Sequence, residues 1–318
     1  MNVWLAWREF ERGKRRRPDV ATLGINAERS VLHLSEALRN GAWRPGRYRL
    51  LRVRDPKRRV VAAAPVLDRV VHHAIHRVLA PWWNRGFIEH SYACLPGRGS
   101  HRAILTLRRR MRRFRWVMGL DIARYFYSID RAGLRELLQR RLPEPPLRAL
   151  LDRVLDSGAG LYRRPEVVQW LGWDAPTPIG RGLPIGNLTS QWWGNVVLDG
   201  LDHHACRVLR VPAWQRYMDD MTLLSNDKDA LLRQRDDIAA WLWRERGLTL
   251  KDPDARPQST CAPFAYLGYR VGRDAITLGP KARGRLPKHL RRARGEARAF
   301  QVVRSFAAAW RFGVLSLG

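Results

Sequence analysis

Asp219 and Asp220 stand side by side in Arg216-Tyr217-Met218-Asp219-Asp220-Met221-Thr222-Leu223-Leu224, which reads as a β-hairpin with the two carboxylates at its tip. Two-residue hairpin loops favour Asn-Gly or Asp-Gly because their central residues need positive φ, and Asp-Asp between methionines meets that need poorly. Adjacent like charges also repel unless a cation lies beside them. A local rule broken inside an orderly pattern marks a place to look for function. Taken alone, the pair is most simply a solvated acidic turn. A third carboxylate, Asp121, ends the apolar run Trp116-Val117-Met118-Gly119-Leu120, which reads as a buried strand. An aspartate there is costly unless a metal or partner neutralises it, and Asp121 lies too far upstream to cap the helix that begins near Ser128 and Asp130.

Oxygen ligands without accompanying His or Cys suit Mg²⁺, which shares its coordination with water and substrate phosphates. Two such ions about 4 Å apart activate an attacking hydroxyl and stabilise a leaving phosphate oxygen. The three carboxylates thus point to phosphoryl or nucleotidyl transfer.

The elements that must position them are mixed. Periodicity and breakers predict a helix from Asn26 to Asn40, with Asn26 as N-cap and Gly41 as terminator. A basic hairpin follows over residues 48–61, turning through Asp55-Pro56-Lys57, and then helices at residues 67–79, 101–113 and 132–141. Residues 155–182 read as loop and turn. A long helix is expected from Ser190 past Leu201, another ending near Arg246, strands at 248–250, 264–271 and 275–278, and a basic helical segment from Pro287. This order suggests an α+β fold.

The chain of 318 residues has 59 Lys and Arg against 29 Asp and Glu, a net charge of +30 that calls for a polyanionic partner. With 45% hydrophobic residues and 14 Trp it is not a disordered polycation. Basic runs such as Lys14-Arg15-Arg16-Arg17 and Arg108-Arg109-Arg110 are spread along the chain, which favours a wrapped polymer over a localisation signal. Cys94, Cys206 and Cys261 are too far apart for a disulfide framework or a zinc motif. His72, His73 and His76, and His203, His204 and Cys206, fall short of usual zinc spacing and read as packing or phosphate contacts. Trp192 and Trp193 read as core on a helix rather than as base-stacking platforms. No segment approaches the roughly 18 apolar residues of a membrane span, and a soluble, cytoplasmic protein is expected.

Asp121 and Tyr217-Met218-Asp219-Asp220, separated by a Gly-containing loop and a helix, resemble the palm of reverse transcriptases. Between them, Gly182-Leu183-Pro184-Ile185-Gly186-Asn187-Leu188-Thr189-Ser190-Gln191 resembles the variant found in reverse transcriptases of diversity-generating retroelements, where most other reverse transcriptases have Gln in place of Ile185 and Pro in place of Gln191. Asp55-Pro56-Lys57, Asp68-Arg69-Val70-Val71 and Ser91-Tyr92-Ala93-Cys94 are similar to the fingers of bacterial retroelement enzymes, and Tyr266-Leu267-Gly268-Tyr269 to their primer grip. The four-letter turn is weak alone; the ordered set is specific.

The resemblance implies a right-hand polymerase architecture, with an antiparallel palm sheet packed on helices. Its implied divisions are an N-terminal helical extension (1–46), fingers (47–119), palm (120–279) and a short basic helical thumb (280–318). Asp121 and Asp219 would bridge two Mg²⁺ ions, with Asp220 as a weaker ligand and the Ile122 carbonyl adding an oxygen. Phe126 would exclude a ribose 2′-hydroxyl and so select deoxynucleotides. Lys57, Arg59 and Arg69 would hold triphosphate and template, and Gly186 would allow close approach of template or nucleotide. Leu267, Gly268 and Tyr269 would form the primer grip, and Ser190 and Gln191 would cap and orient their helix. Ile185, lacking an amide beside the new base pair, implies infidelity at template adenines; Gln191 belongs to the same fidelity segment. The alternative is that Ile185 packs beneath the loop.

Relatives usually place a Pro-x-Lys pattern after the palm. Here Leu248-Thr249-Leu250-Lys251-Asp252-Pro253-Asp254-Ala255-Arg256 leaves Lys251 or Arg256 to meet the leaving pyrophosphate. The implied partners are template RNA, cDNA product, dNTPs and a small basic accessory protein, in one or several copies, bridged by the RNA. Two other readings stand beside this one: a group II intron-like enzyme of ordinary fidelity, which would carry maturase and DNA-binding regions beyond the thumb, and an inert RNA-binding scaffold.

Overall fold

The computed structural model describes residues 1–54, 57–285, 287, 291, 304, 307–309 and 312. The chain divides into two compact units built from interleaved segments. The first comprises Met1–Phe87, Ala123–Gly200 and Trp241–Thr249; the second comprises Ile88–Ile122, Leu201–Ala240 and Leu250–Gly318.

In the first unit the chain begins with helices at Asn2–Glu11, Pro18–Ile25 and Ala27–Arg39. Asn26 sits at the N-cap of the last of these without a side-chain cap bond, and Gly41 at φ +71° lies just beyond its end. Strands β1 (Arg49–Val53) and β2 (Arg59–Ala63) pair antiparallel, with Arg49 opposite Ala63 and Val53 opposite Arg59. The expected turn residues Asp55 and Pro56 lie outside the described residues. Helix Val66–Trp83 buries Val70, Val71, Ile75 and Leu79 against the N-terminal Ala6, Trp7 and Phe10. His72 is buried on it and Trp83 meets Trp192 edge-on at 5.4 Å, so these histidines and Trp192 serve packing.

Residues 155–182 depart from the expected loop. A helix Pro145–Asp156 is followed by a 3-10 turn at Leu161–Arg163 and a helix Pro165–Leu171. Pro165 supplies the fixed φ of a first helical turn and Gly172, at φ +68°, the left-handed stop. Val167 and Leu171, four apart on one face, are buried with Val60, Ala62, Tyr127, Leu161 and Tyr162. Two apolar anchors suffice once tertiary packing supplies their burial, and they are too few to register as a period.

The second unit carries the sheet that matters for chemistry. Strands β3 (Trp116–Leu120), β4 (Ala213–Tyr217), β5 (Asp220–Ser225) and β6 (Gln258–Ser259) form an antiparallel sheet in the order β4-β5-β3-β6. Val117, Met118, Leu120, Met221, Leu223 and Leu224 are buried, and Ala103, Ile104, Leu107 and Met111 of helix Ser100–Arg113 join their core. A smaller sheet of β7 (Phe264–Tyr266), β8 (Tyr269–Val271) and β9 (Ile276–Leu278) packs in the same cluster. The expected strand at 248–250 is reduced to one bridge, Leu250 to Ile122. Of the expected basic helix after Pro287, most lies outside the described residues; helix Pro280–Arg283 precedes it. The helices expected from Ser190 and up to Arg246 run Leu188–His203 and Lys228–Arg246, so Ser190 and Gln191 lie in a first turn rather than at a cap.

Candidate active site

The register of β3 on β5 sets Leu120 opposite Met221. One residue further, Asp121 falls opposite Asp220, at the sheet end where opposed Cα atoms lie about 4.5–5.5 Å apart. Tyr217 pairs with Asp220, so the two loop residues of the β4–β5 hairpin are Met218 and Asp219, not Asp219 and Asp220. The positive φ that such a loop demands is taken by Met218, at +58°, and Asp220 opens β5. Sequence reasoning identified the strain but placed it one residue late. The outcome is that Asp121, Asp219 and Asp220 gather at one end of one sheet.

The loop is held from below. Arg216 and Asp202 are both fully buried and form an ion pair, with Nη2 donating to Oδ2 at 2.6 Å and Nε donating to Oδ1 at 2.9 Å. Nη1 donates to the Met218 carbonyl at 2.9 Å and Nη2 to Ser91 Oγ at 3.1 Å, while Trp214 Nε1 donates to Asp202 Oδ1 at 2.9 Å. One guanidinium thus ties the loop to a buried carboxylate. Ser91-Tyr92 runs beside β4, with Tyr92 N–H donating to the Arg216 carbonyl at 2.9 Å. The signal for this network was Gln215-Arg216 inside an otherwise apolar strand, since a buried charge demands a partner; the partner's identity was not visible.

Lys251 Nζ lies 2.7 Å from Asp121 Oδ2, and the Lys251 N–H donates to the Asp121 carbonyl at 2.8 Å. Of the two candidates left open, Lys251 is therefore the one that contacts the carboxylates. Because successive carbonyls along an extended strand point to opposite edges, the Ile122 carbonyl faces the β5 side. Burial pushes the Tyr217 phenol up, with Cys94 and Asp220 adding to it, and keeps that ring neutral beside the carboxylates. Among the described residues no three His, Cys, Asp or Glu stand as a ready-made metal cluster. The donors at this sheet end are nonetheless all oxygens, and Asp121 takes an ammonium where a cation would sit, so the set fits a hard ion such as Mg²⁺.

Apart from Lys251, the nucleotide-binding expectations fall in the first unit and divide there. The Leu183 N–H donates to the Phe126 carbonyl at 2.7 Å, and the Ala62 N–H to the Ile185 carbonyl at 2.7 Å, so Phe126, the Gly182–Gln191 segment and β2 form one cluster. Ile185 N–H donates to Tyr162 Oη at 2.8 Å, and its half-buried side chain packs on the Val60, Ala62 and Tyr162 core. Gly186 was expected to make room for template or nucleotide. In the structure its φ is +120° and an added Cβ would meet Val61 Cγ1 at 2.8 Å and the Ala62 carbonyl at 3.0 Å, so the close approach is by β2 itself. Lys57 and Arg59 are exposed at the turn end of the hairpin. Arg69 has its Nη2 2.6 Å from Asp19 Oδ2 and its guanidinium 5.2 Å from the Phe10 ring. Gln191 is exposed. In the second unit Leu267 and Gly268, at φ +47° and +87°, form the tight turn expected of the primer-grip residues, and Tyr269 packs below it.

Comparison with known proteins gives this geometry its context. Protein YkfC of Escherichia coli (strain K12) is 26% identical over 156 residues, 46% of this chain and 37% of that protein. Group II intron-encoded protein LtrA of Lactococcus lactis subsp. cremoris is 22% identical over 55% of this chain and 28% of its own length. Nuclear intron maturase 1, mitochondrial, of Arabidopsis thaliana is 27% identical over 47% and 26%. The chain thus spans between about a quarter and two-fifths of these relatives. The fold is similar to that of apo telomerase from Candida Tropicalis truncated from its C-terminal domain, with a TM-score of 0.51 and 11% identity over 73% of this chain and 54% of that one. This likeness and the mixed helix and sheet content fit a polymerase of fingers and palm. The matched segment, residues 53–271, covers more than half of the chain and makes it a member of the reverse transcriptase (RNA-dependent DNA polymerase) family.

Proposed function

We propose that this chain copies a template RNA into cDNA by nucleotidyl transfer, as the reverse transcriptase of a diversity-generating retroelement, with errors concentrated at template adenines for mutagenic retrohoming. The observation that carries the polymerase reading is the β3–β5 register that sets Asp121 against Asp220, with Asp219 in the loop clamped by Arg216. Asp121 and Asp219 would hold two Mg²⁺ ions, assisted by Asp220 and the Ile122 carbonyl. Bound there, the ions would activate the attacking hydroxyl and stabilise the leaving phosphate oxygen. Lys251 would supply positive charge toward the leaving pyrophosphate, Phe126 would discriminate against ribose, and Lys57 and Arg59 would receive the triphosphate. Residues 1–46, 47–119, 120–279 and 280–318 would serve as extension, fingers, palm and thumb. The proposed partners are template RNA, dNTPs, the cDNA and a small basic accessory protein bridged by RNA, in a cytoplasmic setting.

The retroelement reading rests on Ile185 and Gln191 in Gly182–Gln191. A second reading, an ordinary-fidelity enzyme resembling the intron-encoded relatives, is favoured by the packing of Ile185 on the Val60 and Tyr162 core. The two differ in a misincorporation spectrum. On an RNA template, the chain should misincorporate mainly opposite adenines, and Ile185→Gln should lower that frequency about tenfold, the scale of one regained hydrogen bond. An unchanged spectrum would leave Ile185 a packing residue and favour the second reading.

A further inference from the structure

Outside the residues used above, arginines converge on the helix that occupies the expected loop. Arg52 on β1 and Arg54, one residue past its end, both lie over the Trp170 ring, at 5.4 and 4.8 Å from its centroid. Arg124 lies 4.5 Å from the Trp173 centroid. A Cβ built on Gly172, between the two tryptophans, would sit 3.4 Å from Arg58 Nη1. All four arginines are exposed, and both indoles are half-buried.

Stacking of arginine on tryptophan is common as surface packing, and a single pair would carry nothing. Two features go beyond that. Four like charges converge on residues 170–173, and among the described residues none of the four forms an ion pair with a carboxylate. Arg135, by contrast, is matched by both Asp152 and Asp156. Moreover, Arg124 holds its position at φ +49°, a left-handed conformation disfavoured for a residue with a Cβ. Guanidinium groups pre-oriented by an aromatic plane present their donors outward in the fork that matches phosphate oxygens.

We propose that Arg52, Arg54 and Arg124, mounted on Trp170 and Trp173, with Arg58 beside Gly172, form a docking surface for the phosphodiester backbone of single-stranded RNA. The proposal rests on RNA being the template, and it assigns the strand to a surface distinct from Lys57 and Arg59, which face the triphosphate role. A folded acidic protein would meet the same charge but would gain nothing from the planar outer faces of the guanidinium groups, whereas unpaired bases stack on them.

The test is fluorescence anisotropy of a fluorescein-labelled single-stranded RNA with the full chain over a salt series, for wild type and for the double variant Arg52→Ser/Arg54→Ser. Loss of two phosphate contacts should weaken binding and reduce the slope of log Kd against log salt by about 1.4, at roughly 0.7 per single-strand phosphate. Arg52→Lys/Arg54→Lys should keep the slope, and Arg124→Ser should lower it by about 0.7. Equal thermal midpoints are expected because these side chains are exposed. An unchanged slope in both serine variants would overturn the proposal, as would polyglutamate displacing the RNA as well as unlabelled RNA does. Binding requires no turnover, so a failure here is distinguishable from a failure of the polymerase reading.

Discussion

Replacing Arg216 by Met should separate the two things this residue does. Its guanidinium and the Asp202 carboxylate have no exposed side-chain surface, and the pair is joined by bonds of 2.6, 2.9 and 3.0 Å. Removing one partner leaves the other charge buried, which costs about 3–5 kcal/mol. Asp202 would retain the Trp214 indole as a donor, so the lower half of that range is expected for Arg216→Met. A domain stable by about 5–15 kcal/mol keeps a folded population after such a loss. Arg216→Met/Asp202→Leu buries no charge and should recover to within about 1–2 kcal/mol of wild type. Its turnover should not recover, because the Met218 carbonyl still lacks the donor that fixes the loop, and a shift of about 1 Å at reacting groups lowers rate by about 100-fold. Urea denaturation followed by tryptophan fluorescence gives the first quantity and single-turnover primer extension the second. A loss below about 1 kcal/mol in the single variant would refute the energetic reasoning. Full turnover in the double variant would refute the positioning role.

Burial draws His72 down to about 3, with the charges of His73 and Arg69 adding, so the unfolded chain takes up its proton first as pH falls. The stability His72 allows is complete above about pH 6.5 and declines toward pH 3; at pH 5 the deficit is about 2 kcal/mol, which His72→Leu should remove from the difference between pH 7 and pH 5. The same pH difference in both proteins would contradict this. Gly119→Ala should cost about 1–3 kcal/mol, since its Cβ would meet Phe264 Cζ at 2.8 Å, and Phe264→Leu should relieve part of that loss in a denaturation midpoint; an additive double variant would show the clash to be absent.

Much of the site was legible because it breaks local rules. Asp121 ends a strand that is otherwise apolar, and a strand's length and alternation are written in its own residues. Residues 264–271 read as strand, and only the resemblance marked Tyr266-Leu267-Gly268-Tyr269 as a turn; Leu267 and Gly268, both at positive φ, break that strand into β7 and β8. What stayed hidden depends on distant partners. Whether Met218 or Asp219 takes the positive φ is fixed by the register of β4 on β5 and by the Arg216 bond to the Met218 carbonyl, neither of which is local. Arg69 read as a contact for triphosphate and template, and its Asp19 partner was hidden because it lies fifty residues away in sequence. Helix Pro165–Leu171 borrows its stability from Val60, Ala62 and Tyr162, so its own sequence understates it.

The central claim is that Asp121, Asp219 and Asp220 carry RNA-directed DNA synthesis. It is tested most directly by primer extension with Mg²⁺ on an RNA template, supplied with the cognate RNA and accessory protein, comparing wild type with Asp219→Ala. The account predicts extension by wild type and loss of extension in a folded Asp219→Ala. Equal extension by both, or none by either, would contradict it.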